Sequence, residues 1–162
     1  MAGGEGLDAA RLIAAVVSTA LVIVYAVGSG IWVSSDAGWY ASLNRPPWQP
    51  PDVVFGLIWP YNFLALIAAG ITVALLGSAG QRTIWLVALA ASIIAALLWA
   101  RLFYVDHALT ASGFALAAAV LCTIPLLVVA FRVQAWAGWI LVPYIGWITV
   151  ATTLAFGYAT RN

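Results

Sequence analysis

Long, continuously apolar runs separated by short polar or glycine-containing intervals make up nearly all of this chain. They lack the alternation that a membrane β-barrel strand shows over about ten residues. A helix crossing a bilayer core needs about 20 mainly apolar residues, so a chain of 162 residues has room for about five spans and little else. The predicted spans are 8–33, 53–76, 81–104, 107–132 and 134–158, in one domain covering 1–162. Leu12 to Val33 is longer than the roughly 7–15-residue apolar core of a signal peptide, so the first span is expected to be retained. Asp8, Asp52 and Asp106 are placed to cap the first, second and fourth spans, where a carboxylate can accept from free N–H groups of the first turn. Gly77-Ser78-Ala79-Gly80 reads as a tight turn. The short connections make antiparallel hairpins. The expected fold class is an all-α membrane protein, a five-transmembrane-helix bundle.

The connection between the first two spans, 34–52, breaks this pattern. It contains Trp39-Tyr40-Ala41-Ser42-Leu43-Asn44-Arg45-Pro46-Pro47-Trp48-Gln49-Pro50-Pro51, with four of the seven prolines of the chain. Proline fixes φ and disfavours helix in the residue before it, while the indoles gain by leaving water. Long connections in compact domains are usually functional or disordered; this one is neither low-complexity nor highly charged. It reads as a stiff aromatic lid over something apolar.

Composition narrows the function classes. The chain is 65% hydrophobic and 7% charged, contains no lysine and has a net charge of +1, which leaves no basic footprint for nucleic acid. Arg11, Arg82 and Arg132 fall on one side of the bundle and Arg45, Arg101 and Arg161 on the other, so the positive-inside rule assigns no orientation. A composition rich in small residues and free of lysine points to a bacterial inner membrane. No matched pair of interrupted helices suggests an inverted-repeat transporter.

Few groups could carry chemistry. No nucleophile–base pair, paired carboxylates, phosphate loop or metal-ligand cluster can be assembled, so no catalytic or metal residues are assigned and no obligatory cofactor is implied. His107 is the only histidine. Arg101 is expected to end its helix at the interface; its other role would be to anchor a ligand carboxylate. The remaining resource is aromatic: nine tryptophans. An interfacial belt accounts for Trp32, Trp85 and Trp136, but Trp59 and Trp147 lie deeper. Trp136, Trp139, Pro143 and Trp147 share one helical stripe, and Pro60 and Pro143 can each open a kink. Asn62, one turn from Trp59, could satisfy a carbonyl freed by Pro60 or bond a ligand. Joined to the lid, these residues predict an apolar binding pocket. The ladder Ala88, Ser92, Ala96 permits close helix approach and is the expected homodimer interface.

At these residues the chain resembles the TspO/translocator protein family, the tryptophan-rich sensory proteins that include the peripheral benzodiazepine receptor. The resemblance rests on WYASLNRPPWQPP at 39–51 continuing through Val54-Phe55-Gly56-Leu57-Ile58-Trp59. It also rests on Trp99 with Phe103 and Tyr104, and on Ala137-Gly138-Trp139-Ile140-Leu141-Val142-Pro143-Tyr144-Ile145-Gly146-Trp147. The resemblance implies a five-helix bundle, often homodimeric, whose pocket is closed by the first loop and binds porphyrins such as protoporphyrin IX or haem, in some members sterols. It places Trp39 and Trp48 in the lid and Trp59, Pro143, Tyr144 and Trp147 on the wall. Arg45 and Arg101 would then reach the propionates at the wet end. The chain departs from the family pattern at Ala96 and Ala155, where asparagines are usual, and at Pro60, Phe63, Ala100 and Arg101. Leu154, Tyr158 and Arg161 also fit a pattern proposed for sterol contact, though a helix end carries such anchors anyway.

The expected function is sensing, buffering or transport of a flat apolar ligand, with membrane lipid and a second copy as partners. The alternatives are light-dependent breakdown of porphyrin by pocket tryptophans and a dimeric scaffold modulating a membrane partner.

Overall fold

The computed structural model of the protein describes residues 8–162. Seven helices follow one another: α1 (Ala9–Val33), α2 (Ala37–Ser42), α3 (Asp52–Leu76), α4 (Ala79–Tyr104), α5 (Leu109–Val133), α6 (Ala135–Trp139) and α7 (Val142–Ala159). α1, α3, α4, α5 and the α6–α7 pair form five segments long and apolar enough to cross a bilayer. With no strand among the described residues, the chain is an all-helical, multi-pass integral membrane protein. Its outward faces are apolar: Leu57 and Ile94 are 70% and 68% exposed, as lipid rather than water requires.

α1 packs on α3 and α4, α4 on α5, and α5 on α7. A three-helix contact shows why small and polar residues sit where they do. Trp85 Nε1 donates to Ser18 Oγ at 3.0 Å, and a side chain on Gly70 would meet that same oxygen at 2.2 Å. Only glycine lets α3 approach the Ser18–Trp85 bond. Trp85 is thereby fully buried, rather than part of an interfacial belt.

Several local expectations are corrected. Asp8 caps α1 as predicted, accepting from Arg11 N at 2.7 Å. Asp52 does not cap its helix; Pro51 is the boundary residue, and Asp52 instead faces Arg45 at 3.7 Å. Asp106 does not cap α5 either, since the boundary is Ala108 and the carboxylate pairs with Arg101 at 3.3 Å. The predicted turn at 77–80 conceals a reciprocal cap: Gln81 N donates to Ser78 Oγ while Ser78 N donates to Gln81 Oε1. The last span is not one kinked helix. It breaks at Ile140–Leu141, and Pro143 opens α7, where its missing N–H costs nothing. The Tyr61 hydroxyl donates to the Ile140 carbonyl at this break, at 3.0 Å.

The Ala88–Ser92–Ala96 ladder is occupied inside the protomer. Ser92 and Ala96 are buried, with Ala88 at the edge of an outer groove. Ser92 Oγ lies 3.1 Å from Thr123 Oγ1 of α5. Because Thr123 donates its proton to the Ala119 carbonyl, Ser92 is the donor in that pair. Ser92 and Ala96 are thus taken up by packing within the protomer, and Ala88 alone of the three borders the outer surface.

Candidate functional site

A cavity of about 130 Å³ opens between α3, α4 and α7 beneath the 34–51 connector. Its wall is built from aromatic side chains held by packing against one another. Trp59 of α3 and Trp99 of α4 lie nearly parallel, 21° apart with centroids at 6.2 Å. Trp147 of α7 stands edge-on to Trp59 at 89° and to Phe55 at 80°. Phe103 and Tyr104 continue the α4 wall toward the connector. Parallel and edge-to-face pairs at such distances are the favoured arrangements of ring quadrupoles.

The polar groups gather at the connector end. Tyr158 of α7 donates to Gln49 Oε1, and Gln49 Nε2 donates to the Tyr40 hydroxyl at 3.4 Å. The two tyrosine hydroxyls lie 3.2 Å apart. Tyr158 has one proton and Gln49 takes it, so the proton in this third bond comes from Tyr40. The three groups close a ring between the connector and α7, and all three line the cavity.

The connector is not the extended loop that its prolines suggest. It contains α2, capped by Asp36, which accepts from Trp39 N at 2.9 Å. Trp39 stacks on His107, 3.7 Å and 9° apart, and meets Phe103 edge-on. His107 has φ +53, the only positive φ among the described non-glycine residues, a left-handed conformation uncommon outside glycine. At the other end of the connector, Trp48 and Pro46 lie over Gly157; a side chain there would come within 2.6 Å of Trp48 Cζ2. Asn44 N donates to Asn162 Oδ1 at 2.9 Å, and Arg161 lies over the Trp48 ring.

Of the predicted ligand residues, Trp59 and Trp147 line the cavity. Trp39 and Trp48 belong to its cover but not to its lining. Tyr144 is buried in the core with its hydroxyl toward those of Ser92, Thr123 and Tyr25, not on the wall. Pro143 is exposed on the far side of α7. The stripe from Trp136 to Trp147 falls apart with it: Trp136 and Trp139 are 50% and 66% exposed, because the break at Ile140–Leu141 resets the helical phase. Asn62 is wholly buried with neither amide atom hydrogen-bonded, so it neither satisfies a freed carbonyl nor reaches the cavity. Arg45 and Arg101 face Asp52 and Asp106 and lie outside the lining.

Sequence reasoning missed Tyr40, Gln49 and Tyr158 as site residues, and it passed over Ala151, Leu154 and Ala155. A signal for them exists. Continued from Trp147 toward the C-terminus rather than the N-terminus, the helical stripe reads Trp147, Ala151, Leu154, Tyr158 (i, i+4, i+7, i+11), and all four line the cavity. Leu154 and Tyr158 therefore point inward rather than forming an outward sterol-contact surface. Among the described residues no group of three or more His, Cys, Asp or Glu side chains could hold a metal ion.

The sequence model of the TspO/MBR family matches residues 15–161. A tryptophan-rich sensory protein of Cereibacter sphaeroides is 36% identical over 123 residues, 73% of either chain. The uncharacterized membrane protein YtaB of Bacillus subtilis is 31% identical over 87% of this chain and 92% of its own. Protein CrtK of Rhodobacter capsulatus is 28% identical over 80% of this chain and 82% of its own. With five spans, the aromatic cavity beneath the first connector and a match over nearly its whole length, the chain belongs to the TspO/MBR family.

Proposed function

We propose that this protein binds a flat apolar ligand of the porphyrin class, protoporphyrin IX or haem, in the aromatic cavity, and senses, buffers or moves it within a bacterial inner membrane. The observation that carries this reading is the nearly parallel Trp59–Trp99 pair with Trp147 edge-on, inside a mainly apolar cavity whose polar groups gather at one end. A planar macrocycle buries a large apolar face, and indole faces and edges are the complementary surface. The sensory role in the name of the Cereibacter sphaeroides relative fits a protein that responds to an occupied site.

The cavity of about 130 Å³ is small beside the roughly 300–1,000 Å³ of sites for drug-sized ligands. A tetrapyrrole can enter only if the connector lifts from α4 and α7, so the segment acts as a lid rather than a fixed wall. Titration of the purified protein with protoporphyrin IX should give saturable quenching of tryptophan fluorescence. Trp59→Ala and Trp147→Ala should each raise Kd about tenfold, equivalent to 1.4 kcal/mol. Trp136→Ala and Trp139→Ala, on the lipid-facing surface, should leave it within about twofold, as near-neutral contacts do. Linear quenching, or equal effects of all four substitutions, would overturn the proposal.

A further inference from the structure

Arg45, Arg101 and Arg161 lie at the connector end of the bundle, and their surroundings set them apart. Arg101 Nε pairs with Asp106 at 3.3 Å, and Arg161 lies over the Trp48 ring. Arg45 is placed differently. On one side of it, Asn44 N donates to Asn162 Oδ1 at 2.9 Å; on the other, Pro46 is buried against Gly157. The backbone of Arg45 is therefore pinned to the end of α7, beside Tyr158. The turn that follows is closed by Gln49 N, which donates to the Pro46 carbonyl at 3.1 Å, and it carries Gln49 into the cavity lining. At this mouth the Arg45 guanidinium is close enough to the Tyr158 hydroxyl for its charge to act there. Its ion-pair partner holds it loosely. Arg45 Nη1 is 3.7 Å from Asp52 Oδ1, with the side chains 48% and 79% exposed, a separation too long for a hydrogen bond. Ion pairs so open to solvent are weak, so exchanging one carboxylate for another at Arg45 costs little. Gln49 adds a donor at the same place: a primary amide has two N–H groups, and only one is given to Tyr40.

We propose that Arg45, and not Arg101, receives the acidic end of the ligand at the cavity mouth, and that Asp52 is a built-in competitor for that guanidinium. This rests on the cavity being a site for porphyrin-class ligands, whose carboxylates stay at the wet connector end while the macrocycle meets the aromatic wall. Binding is then an exchange. The ligand carboxylate takes the guanidinium, and Asp52, already mostly in water, gives up little. Because Arg45 belongs to the connector, the new ion pair also holds the lid over an occupied cavity. A flat molecule without an acid leaves the Arg45–Asp52 pair as it is and gains nothing from it, so the exchange favours ligands with an anionic end.

The test crosses two ligands with two charge changes. Protoporphyrin IX and its dimethyl ester, the same macrocycle without ionisable ends, are titrated by tryptophan quenching into the protein in phosphatidylcholine nanodiscs at pH 8. Arg45→Gln should weaken diacid binding about fivefold and Asp52→Asn should tighten it about threefold, the range open to exposed ion pairs. The ester should stay within about twofold in both variants, and Arg101→Gln should leave both compounds within about twofold. Each compound is compared with itself across variants, so partition into lipid cancels; elution and melting temperature report the fold. Should Arg45→Gln not fold, Asp52→Asn carries the test, since tightening of the diacid without the ester has no purely structural origin. Diacid binding unmoved by Arg45→Gln overturns the inference and leaves the porphyrin reading standing. Diacid affinity unmoved or lowered in Asp52→Asn overturns the competitor. Equal shifts of diacid and ester mark Arg45 as a structural part of the lid and also overturn the inference. Absence of saturable binding by either compound in the parent protein removes the porphyrin reading itself.

Discussion

At Asn62 a carboxamide lies wholly inside the bundle with both its oxygen and its nitrogen unpartnered. Removing an unsatisfied polar group without leaving a partner behind is neutral or favourable. Asn62→Leu, of similar size and without polar atoms, should hold stability constant or raise it by about 1–2 kcal/mol, read by thermal denaturation in detergent. Because Asn62 is not part of the lining, porphyrin affinity should be unchanged; a marked loss of either would show that its amide is engaged in the functional state. At this scale the sequence was only partly legible. Trp59 and Trp147 could be recognised because their depth in the spans sets them apart from interfacial anchors. Trp136, Trp139 and Pro143 shared a stripe with Trp147 on paper, but a stripe holds only while the helix is unbroken, and nothing local to those side chains announces the two-residue break that turns them outward.

The elements themselves were largely legible, since apolar runs of span length have few alternatives to crossing a bilayer. Their ends were not. Asp52 and Asp106 have the chemistry of helix caps, but each has an arginine a few residues upstream, Arg45 and Arg101, and the side chain turned to that partner. The connector likewise hid α2, because Asp36 capping is weighed against prolines several residues further on. Its docking onto α7 depends on the absence of a side chain at Gly157. Gly157→Ala should wedge Trp48 and Pro46 away, and Asn162→Ala should cut the ties to Asn44. In hydrogen exchange, the Gln49 amide, bonded to the Pro46 carbonyl, should exchange about tenfold faster in Gly157→Ala, an opening made easier by about 1.4 kcal/mol, and less so in Asn162→Ala. The Asn44 amide, whose acceptor is Asn162 Oδ1, should respond to Asn162→Ala directly. If exchange in both variants matches the parent, the connector is not held by this contact. His107→Ala, which removes the ring beneath Trp39, should loosen α2 without affecting 44–49.

Across the whole molecule, the cavity sits between helices whose backbones meet at few points. Its lining comes from α3 on one side and from α4 and α7 on the other, and α3 rests mainly on α1 while sharing little direct contact with α4 or α7. A molecule in the cavity would add to the few ring contacts, Trp59 with Trp99 and Trp147 and Phe55 with Trp147, that join these helices. A ligand present at 100 times its Kd adds about 2.7 kcal/mol to the folded state, and that gain should not spread evenly. Protection against hydrogen exchange on adding protoporphyrin should concentrate in α3 and leave α5 nearly unchanged, whereas a uniform rise over all spans would count against a seam at this place. Occupancy would then be legible from outside the site as the stiffness of a single helix, a mechanical signal that a second membrane component could read without touching the ligand.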